Sequence, residues 1–403
     1  MWMFIISLII PFLIWGPFFP DLIVSLSALV FLVYVVRKKN FYYFNNKPLV
    51  IFFIFCIYCI LVSIFVAKDR TLSFESSLFY FRIGVFACLI WYLIDQNKKI
   101  LAYFYYALVV CFAVLIVDGY IQFFTGTNII GLTKSRVRIS SFFGNELILG
   151  SYLSRLFPLL FALFVLKEKK QLELYSMSIL FILLSGLIFI SGERAAFFLF
   201  ILSYMFIIIF LKKFVKLKII LSVLSLILVL VLTFNFSEVK KRMVSNPSNT
   251  IKKSIFTPEH DSLISTAFNM FLNKPVFGHG PKMFRVICKD EKYAVGTNSC
   301  DIHPHNFYVQ LLAETGIIGF SFLFSAFTYV LYCAYRQFKS IVLRQKRYLT
   351  DYQVCLLAGI LIAVWPITTN GNFFHNWLMI VYSLPVGFYL HSIYGKNREN
   401  ISF

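Results

Sequence analysis

The chain has 403 residues; 60% are apolar, Phe alone fills 49 positions, and only 14% are charged, against about a quarter in an ordinary soluble domain. Twelve spans of about 20 residues would take roughly 240 positions, close to that apolar share. This excludes a set of soluble domains and leaves an integral membrane protein. The formal charge of +20 would suggest nucleic acid in a soluble protein; here its meaning depends on where the cations lie relative to the bilayer.

Apolar runs separated by charged or Pro/Gly/Asn-rich breaks predict twelve helices, near 2–19, 21–36, 48–66, 78–94, 100–124, 147–166, 172–190, 195–211, 219–236, 307–335, 351–369 and 377–394. The fold class is therefore an all-α polytopic membrane protein. About 12 transmembrane helices are expected, with one long external loop between helices 9 and 10. The organisation reads as 1–236 (helices 1–9), 237–306 (the loop, with short helices) and 307–403 (helices 10–12), forming a single integrated membrane domain. The first run has no basic residue ahead of it and no small-residue cleavage site, so it is expected to be a retained helix and not a signal peptide.

An amino terminus in the cytoplasm makes 37–47, 95–99, 167–171, 212–218, 336–347 and 395–403 the inner segments, and these carry 20 of the 38 cations. Among them are Lys167, Lys169, Lys170, Lys212, Lys213 and Arg398. That bias places both termini inside and accounts for half of the basic residues as topology. The other 18 lie outside or within spans, against the bias. Ten fall in segment 237–305 beside six acids, and Lys134, Arg136 and Arg138 crowd the loop 125–146. Arg82, Arg155 and Arg194 lie within spans or at their outer ends, where a charge costs several kcal/mol unless paired or hydrated. Snorkelling is the alternative for Arg194. Arg155 sits two turns into its helix, with Asp118 its expected partner.

Cys288 and Cys300 share the external loop, where an oxidising exterior permits a disulfide. Cys56 and Cys59 have CxxC spacing, but in an apolar helix they read as packing residues. Four of the six histidines (His260, His279, His303 and His305) fall in or at the end of the long loop. In His303-Pro304-His305-Asn306 the loop passes into the tenth span, followed by Gln310, Glu314, Gly316 and Gly319. Gln310 and Glu314 share a helix face by their i+4 spacing, and Gly316 and Gly319 read as small residues for close helix approach. A neutral imidazole beside external cations suits a general base. The chain has no P-loop, no dinucleotide-binding glycine loop and no serine elbow, and no external acidic pair for a metal. External cations without matching acids suit an anionic ligand such as a lipid diphosphate.

These residues resemble the O-antigen ligase and polymerase superfamily of bacterial inner-membrane glycosyltransferases. HPHNFYVQLLAETGIIG matches its motif of paired histidines, Asn, a helix, Glu and two glycines. AFNMFLNKPVFGHG (267–280) is similar to its helix and apolar turn with two glycines, GERAA (192–196) to its Arg-centred helix start, and RISSFFGNELILGSYL (138–153) to its Arg–aromatic–Asn segment. The resemblance covers roughly 130–320. It implies metal-independent, cofactor-free, inverting transfer of a glycan from undecaprenyl diphosphate to an acceptor hydroxyl on the periplasmic face of a bacterial inner membrane. Its partners would be the lipid-linked glycan, a lipid A–core or glycan acceptor and membrane lipids, with no nucleic acid. The resemblance makes His305 the general base and Arg194 the stabiliser of the diphosphate. Arg242 shares that role, Arg82 and Arg138 add substrate-binding cations, and His303, Asn306 and Glu314 join them through the histidine motif. Many relatives carry an Arg where this chain has His260-Asp261-Ser262.

Within that superfamily one dominant external loop favours an O-antigen ligase over an O-antigen polymerase, in which two large basic loops are expected; a protein-glycosylating relative would be longer. From another class, a twelve-span secondary transporter would show two similar halves joined by a long central cytoplasmic segment. The KEKKQ segment between spans six and seven is short, and no internal repeat is visible.

Overall fold

In lipid every backbone N–H and C=O must be satisfied within the segment that carries it, so the apolar runs fold as helices. The structure is a computed structural model describing residues 2–167, 171–245, 257–396 and 403; the inner cations Lys169, Lys170 and Arg398 lie outside the described residues, as does the part of the long loop over 246–256. The first helices are α1 (Trp2–Ser7), α2 (Ile9–Trp15), α3 (Phe18–Lys38), α4 (Lys47–Phe65), α5 (Arg70–Leu78), α6 (Arg82–Gln96), α7 (Lys99–Thr125) and α8 (Leu149–Leu166). Then follow α9 (Gln171–Ile190), α10 (Arg194–Phe210), α11 (Val215–Asn235), α12 (Ser237–Met243) and α13 (Pro258–Asn273). The chain closes with α14 (Phe284–Ile287), α15 (Phe307–Val342), α16 (Asp351–Ala363) and α17 (Asn376–Tyr394).

Among the described residues nine helical segments are long and apolar enough to cross a membrane, against twelve expected. The other three expected spans are the shorter apolar segments Trp2–Trp15, Arg194–Phe210 and Asp351–Ala363. The first breaks between α1 and α2. At 1.5 Å per residue, α10 and α16 reach only about 26 and about 20 Å, short of a hydrocarbon core of about 30 Å. The expected span 351–369 stops at Ala363 because Pro366 disfavours helix at its predecessor and Asn370, Gly371 and Asn372 follow it.

Side chains in the connections set several helix starts. Asn46 accepts from Leu49 N at the start of α4, Asp69 from Leu72 N at the start of α5, and Thr350 forms a capping box with Gln353 at α16. In the bundle α17 packs on α6 and α16 on α8. Gly387 brings α17 so close to α6 that a Cβ there would lie 2.7 Å from Ile90 Cβ.

The connections gather at two ends. At one, the Lys212 and Lys213 N–H groups donate to Asp351, Tyr42 donates to the Tyr394 carbonyl, and Lys396 N–H donates to Asp95. This end collects the short basic segments. The other carries the loops before α8, α10, α13, α15 and α17, together with α5 and α12.

At that second end α15 is broken. Gly316 has φ 63° and ψ −167° inside it, a conformation open essentially to glycine alone. Segment 275–284 is bonded across the break: His279 N–H donates to the Ala313 carbonyl at 3.0 Å, Gly280 N–H to that of Glu314 at 2.7 Å, and Ile317 N–H to that of Pro275 at 2.8 Å. A Cβ on Gly316 would lie 2.2 Å from the Val276 carbonyl oxygen, and one on Gly278 2.4 Å from the Glu314 carbonyl carbon. These glycines therefore serve a break in the helix and a backbone docked against it. Gly319, expected to admit a neighbouring helix, faces Thr315 of its own helix instead.

Gly316→Ala is accordingly expected to cost about 3 kcal/mol, combining forbidden backbone with a clash. Thermal unfolding in detergent would show a lowered midpoint, and hydrogen exchange would show protection lost over 275–284.

Candidate active site

Two polar groups stand at this second end. The first forms where Ser191-Gly192-Glu193 turns α9 into α10. Gly192 has φ 75°, and a Cβ there would lie 3.0 Å from Arg138 Cγ and 3.6 Å from Arg242 Cγ. A glycine turn thus lets two arginine side chains pass against bare backbone. Arg242 donates from Nε to the Gly192 carbonyl at 3.1 Å. Arg194 donates from Nε and Nη2 to the Arg242 carbonyl at 2.8 and 2.5 Å, and from Nη2 to the Ser245 carbonyl at 3.0 Å. Arg138 donates from Nη2 to the Leu147 carbonyl at 2.8 Å, while its buried Nε has no hydrogen-bond partner among the described residues.

Glu193 feels the charges of Arg138 and Arg155, but its oxygens are committed to the start of α8. They accept from Gly150 N at 2.7 Å, from Ser151 N at 3.2 Å and from the Ser151 hydroxyl at 2.6 Å. Burial holds Arg138 below its ordinary value; Glu193 opposes the shift and Arg242 adds to it. Like charges are packed together at a cost that a bound anion would relieve.

The second group is the histidine loop. Cys288 and Cys300 are disulfide-bonded, closing the segment between them. Asp301 follows directly, and its Oδ2 lies 3.2 Å from His305 Nε2. Burial works against the Asp301 carboxylate, yet the Ile302 N–H and His305 together hold it below the ordinary range. His305 has φ 57°, an uncommon left-handed conformation fixed by Asn370 N–H donating to its carbonyl at 2.8 Å. Its side chain stays 28% accessible. In the tautomer that gives Nε2–H to Asp301, Nδ1 would carry the lone pair that a proton acceptor requires.

His303 lies against His305, ring centroids 4.1 Å apart, and His260 from α13 lies 5.0 Å from it. His303 is buried, and neither of its nitrogens has a hydrogen-bond partner among the described residues. Burial, reinforced by His305, pushes it down to about 3, so it is neutral at physiological pH. Burial, then His305, also lowers His260.

Asn306 and Glu314, expected to touch substrate, spend their polar atoms inside the fold. Asn306 caps α15, accepting from Tyr308 N and Val309 N and donating to the carbonyls of Pro366 and Thr368. Glu314 is fully buried, accepting from Phe284 N at 3.1 Å and from Gln310 at 3.0 Å. Gln310 in turn donates to Asn372 Oδ1 and accepts from Phe373 N. Glu314, through Gln310, braces the loop 370–373 that holds His305, and Asn306 holds 366–368 just before it.

Arg82 is apart from the three arginines, in an ion pair with Asp21 at 2.5 Å and donating to Ser25. The expected pairing of Arg155 with Asp118 is not formed. Asp118 accepts from Asn128, the Ile129 amide and Ser141, because the loop after α7 folds back over it. Buried Arg155 donates to Tyr382 Oη at 2.8 Å and to the Ser151 carbonyl. Tyr382 donates to Asn370 Oδ1 at 3.2 Å. A buried polar path therefore runs from the histidine loop through Asn370, Tyr382, Arg155 and Ser151 to Glu193 and the arginine turn.

Asp301, Asn370, Tyr382 and Glu193 were not singled out from the sequence. Only Asp301 had a signal there, an acid four residues before His305 in a disulfide-bearing loop. Among the described residues no group of three or more His, Cys, Asp or Glu is placed to hold a metal ion.

No curated protein matches the chain. Residues 179–324, which carry Arg194, Arg242, His303 and His305, match the family described as O-antigen ligase. That segment, with both the arginine turn and the histidine loop inside it, is what the chain shares with the O-antigen ligase family.

Proposed function

We propose that the chain is an O-antigen ligase. It would transfer polysaccharide from undecaprenyl diphosphate to a lipid A–core acceptor without a metal, inverting the anomeric carbon. The observation that carries this reading is the crowding of Arg138, Arg194 and Arg242 around one turn, with the Glu193 carboxylate there committed to the start of α8. Such a group suits a diphosphate. His305 Nδ1 takes the proton of the acceptor hydroxyl, whose oxygen attacks the anomeric carbon. The bond to the diphosphate oxygen breaks with its electron pair, and the guanidinium groups stabilise the charge that leaves. Gathering of the basic segments at the opposite end supports a periplasmic site in a bacterial inner membrane with both termini cytoplasmic.

A polymerase would use the same donor and a second lipid-linked glycan as acceptor. Deletion of the gene, followed by a lipopolysaccharide gel and analysis of carrier-linked glycans, separates the two. A ligase predicts loss of the ladder with long chains accumulating on the carrier. Single repeats capping the core would contradict the ligase in favour of the polymerase, and an unchanged ladder would contradict both.

A further inference from the structure

A cavity of about 240 Å³ opens at the same end of the bundle, outside both groups above. A water needs at least about 10–15 Å³ of such space, so the cavity has room for a polar ligand of many atoms. Its walls come from α5, the start of α6, the loop before α14 and the start of α17. They combine aromatic rings, Phe79 and Phe374, with polar groups of both signs: Glu75, Arg82, Lys282 and Asn376.

The charge balance separates this cavity from the arginine turn. Arg82 is already paired with Asp21, and although burial and then Arg285 lower Lys282, Glu314 and Glu75 oppose that shift, so acids stand among the cations here. Aromatic faces for apolar C–H surfaces, with mixed donors and acceptors for hydroxyls, fit a polyol better than a diphosphate. The cavity also shares its supports with His305. Phe374 N–H donates to Asn372, in the same segment whose Asn370 holds the His305 carbonyl. Lys282 stands two residues before Phe284, whose N–H is held by Glu314.

We propose that this cavity is a saccharide subsite that receives the acceptor's sugar, so that donor diphosphate and acceptor glycan bind to separate groups of the chain. The acceptor assignment rests on the transferase reading above; the saccharide site itself does not.

The test uses the full chain in lipid nanodiscs, with core oligosaccharide freed from lipid A as the probe and saturation-transfer NMR as the readout. Ser76→Trp fills the cavity from α5, and Asn376→Ala removes one polar contact at its exposed rim. The wild type should bind saturably, Ser76→Trp should lose binding, and Asn376→Ala should weaken it about tenfold, the worth of one hydrogen bond. Undecaprenyl diphosphate binding should be unchanged in both variants. Absence of saccharide binding by the wild type, wild-type binding by Asn376→Ala, or equal loss of undecaprenyl diphosphate binding would overturn the proposal. Turnover measured on the same samples judges the transferase reading separately. Transfer by the wild type with unaltered saccharide binding in the variants sinks the subsite alone. Absent transfer with the expected binding pattern sinks the reading alone.

Discussion

His305→Ala is expected to lower turnover by about 10²–10⁴, the usual contribution of a general base, with little change in expression or melting temperature. The geometry makes this prediction specific. His305 remains accessible while its neighbour His303 is buried, so one imidazole of the pair can meet a hydroxyl. Its Nε2 faces Asp301, and its strained backbone is held by Asn370. Asp301→Asn keeps the side chain's size and removes the carboxylate. It should cost about ten- to a hundredfold in kcat with KM nearly unchanged, because the carboxylate orients the base and does not bind substrate. Steady-state kinetics on both variants check this. Full activity in His305→Ala removes the residue from the mechanism, and a loss in Asp301→Asn confined to KM would give Asp301 a binding role.

Arg194→Ala carries the second large effect, about 10²–10³ in rate for the loss of one preorganised charge-assisted contact. The structure adds a sharper comparison. Arg194 bridges the carbonyls of Arg242 and Ser245 with Nε and Nη2 together, and so ties the end of α12 to the start of α10. Lysine keeps the charge but is a point donor on a flexible stem. Arg194→Lys should therefore remain at least about tenfold impaired, and Arg242→Ala should resemble Arg194→Ala, because Arg242 spans the same turn to the Gly192 carbonyl. Substantial recovery in Arg194→Lys would mean that charge alone matters there.

The sequence made the helices legible because lipid imposes long apolar runs, and most expected bounds fall within a few residues of those observed. It misjudged length where apolar character outlasts helix: α16 stops at Ala363 although the residues up to Trp365 are apolar. Within the candidate site, residue type and position singled out His305, Arg194 and Arg138, and the family resemblance added Arg242. Their partners were harder to read, since Asn370, Tyr382 and Glu193 reach them through tertiary contacts with no fixed spacing. Asn306 and Glu314 show the converse. Their place in a motif suggested contact with substrate, whereas a buried cap and a buried carboxylate brace the loop around His305. Gly316 follows the same pattern: read as a helix contact, it is the break against which segment 275–284 docks.

The most direct measurement is transfer by the purified full chain in nanodiscs, with undecaprenyl-diphosphate-linked polysaccharide as donor, lipid A–core as acceptor and excess chelator present. The account predicts ligated product at an undiminished rate under chelation and almost none from His305→Ala or Arg194→Ala. Absence of product from the wild type with an intact donor, or product formed equally by both variants, would contradict it.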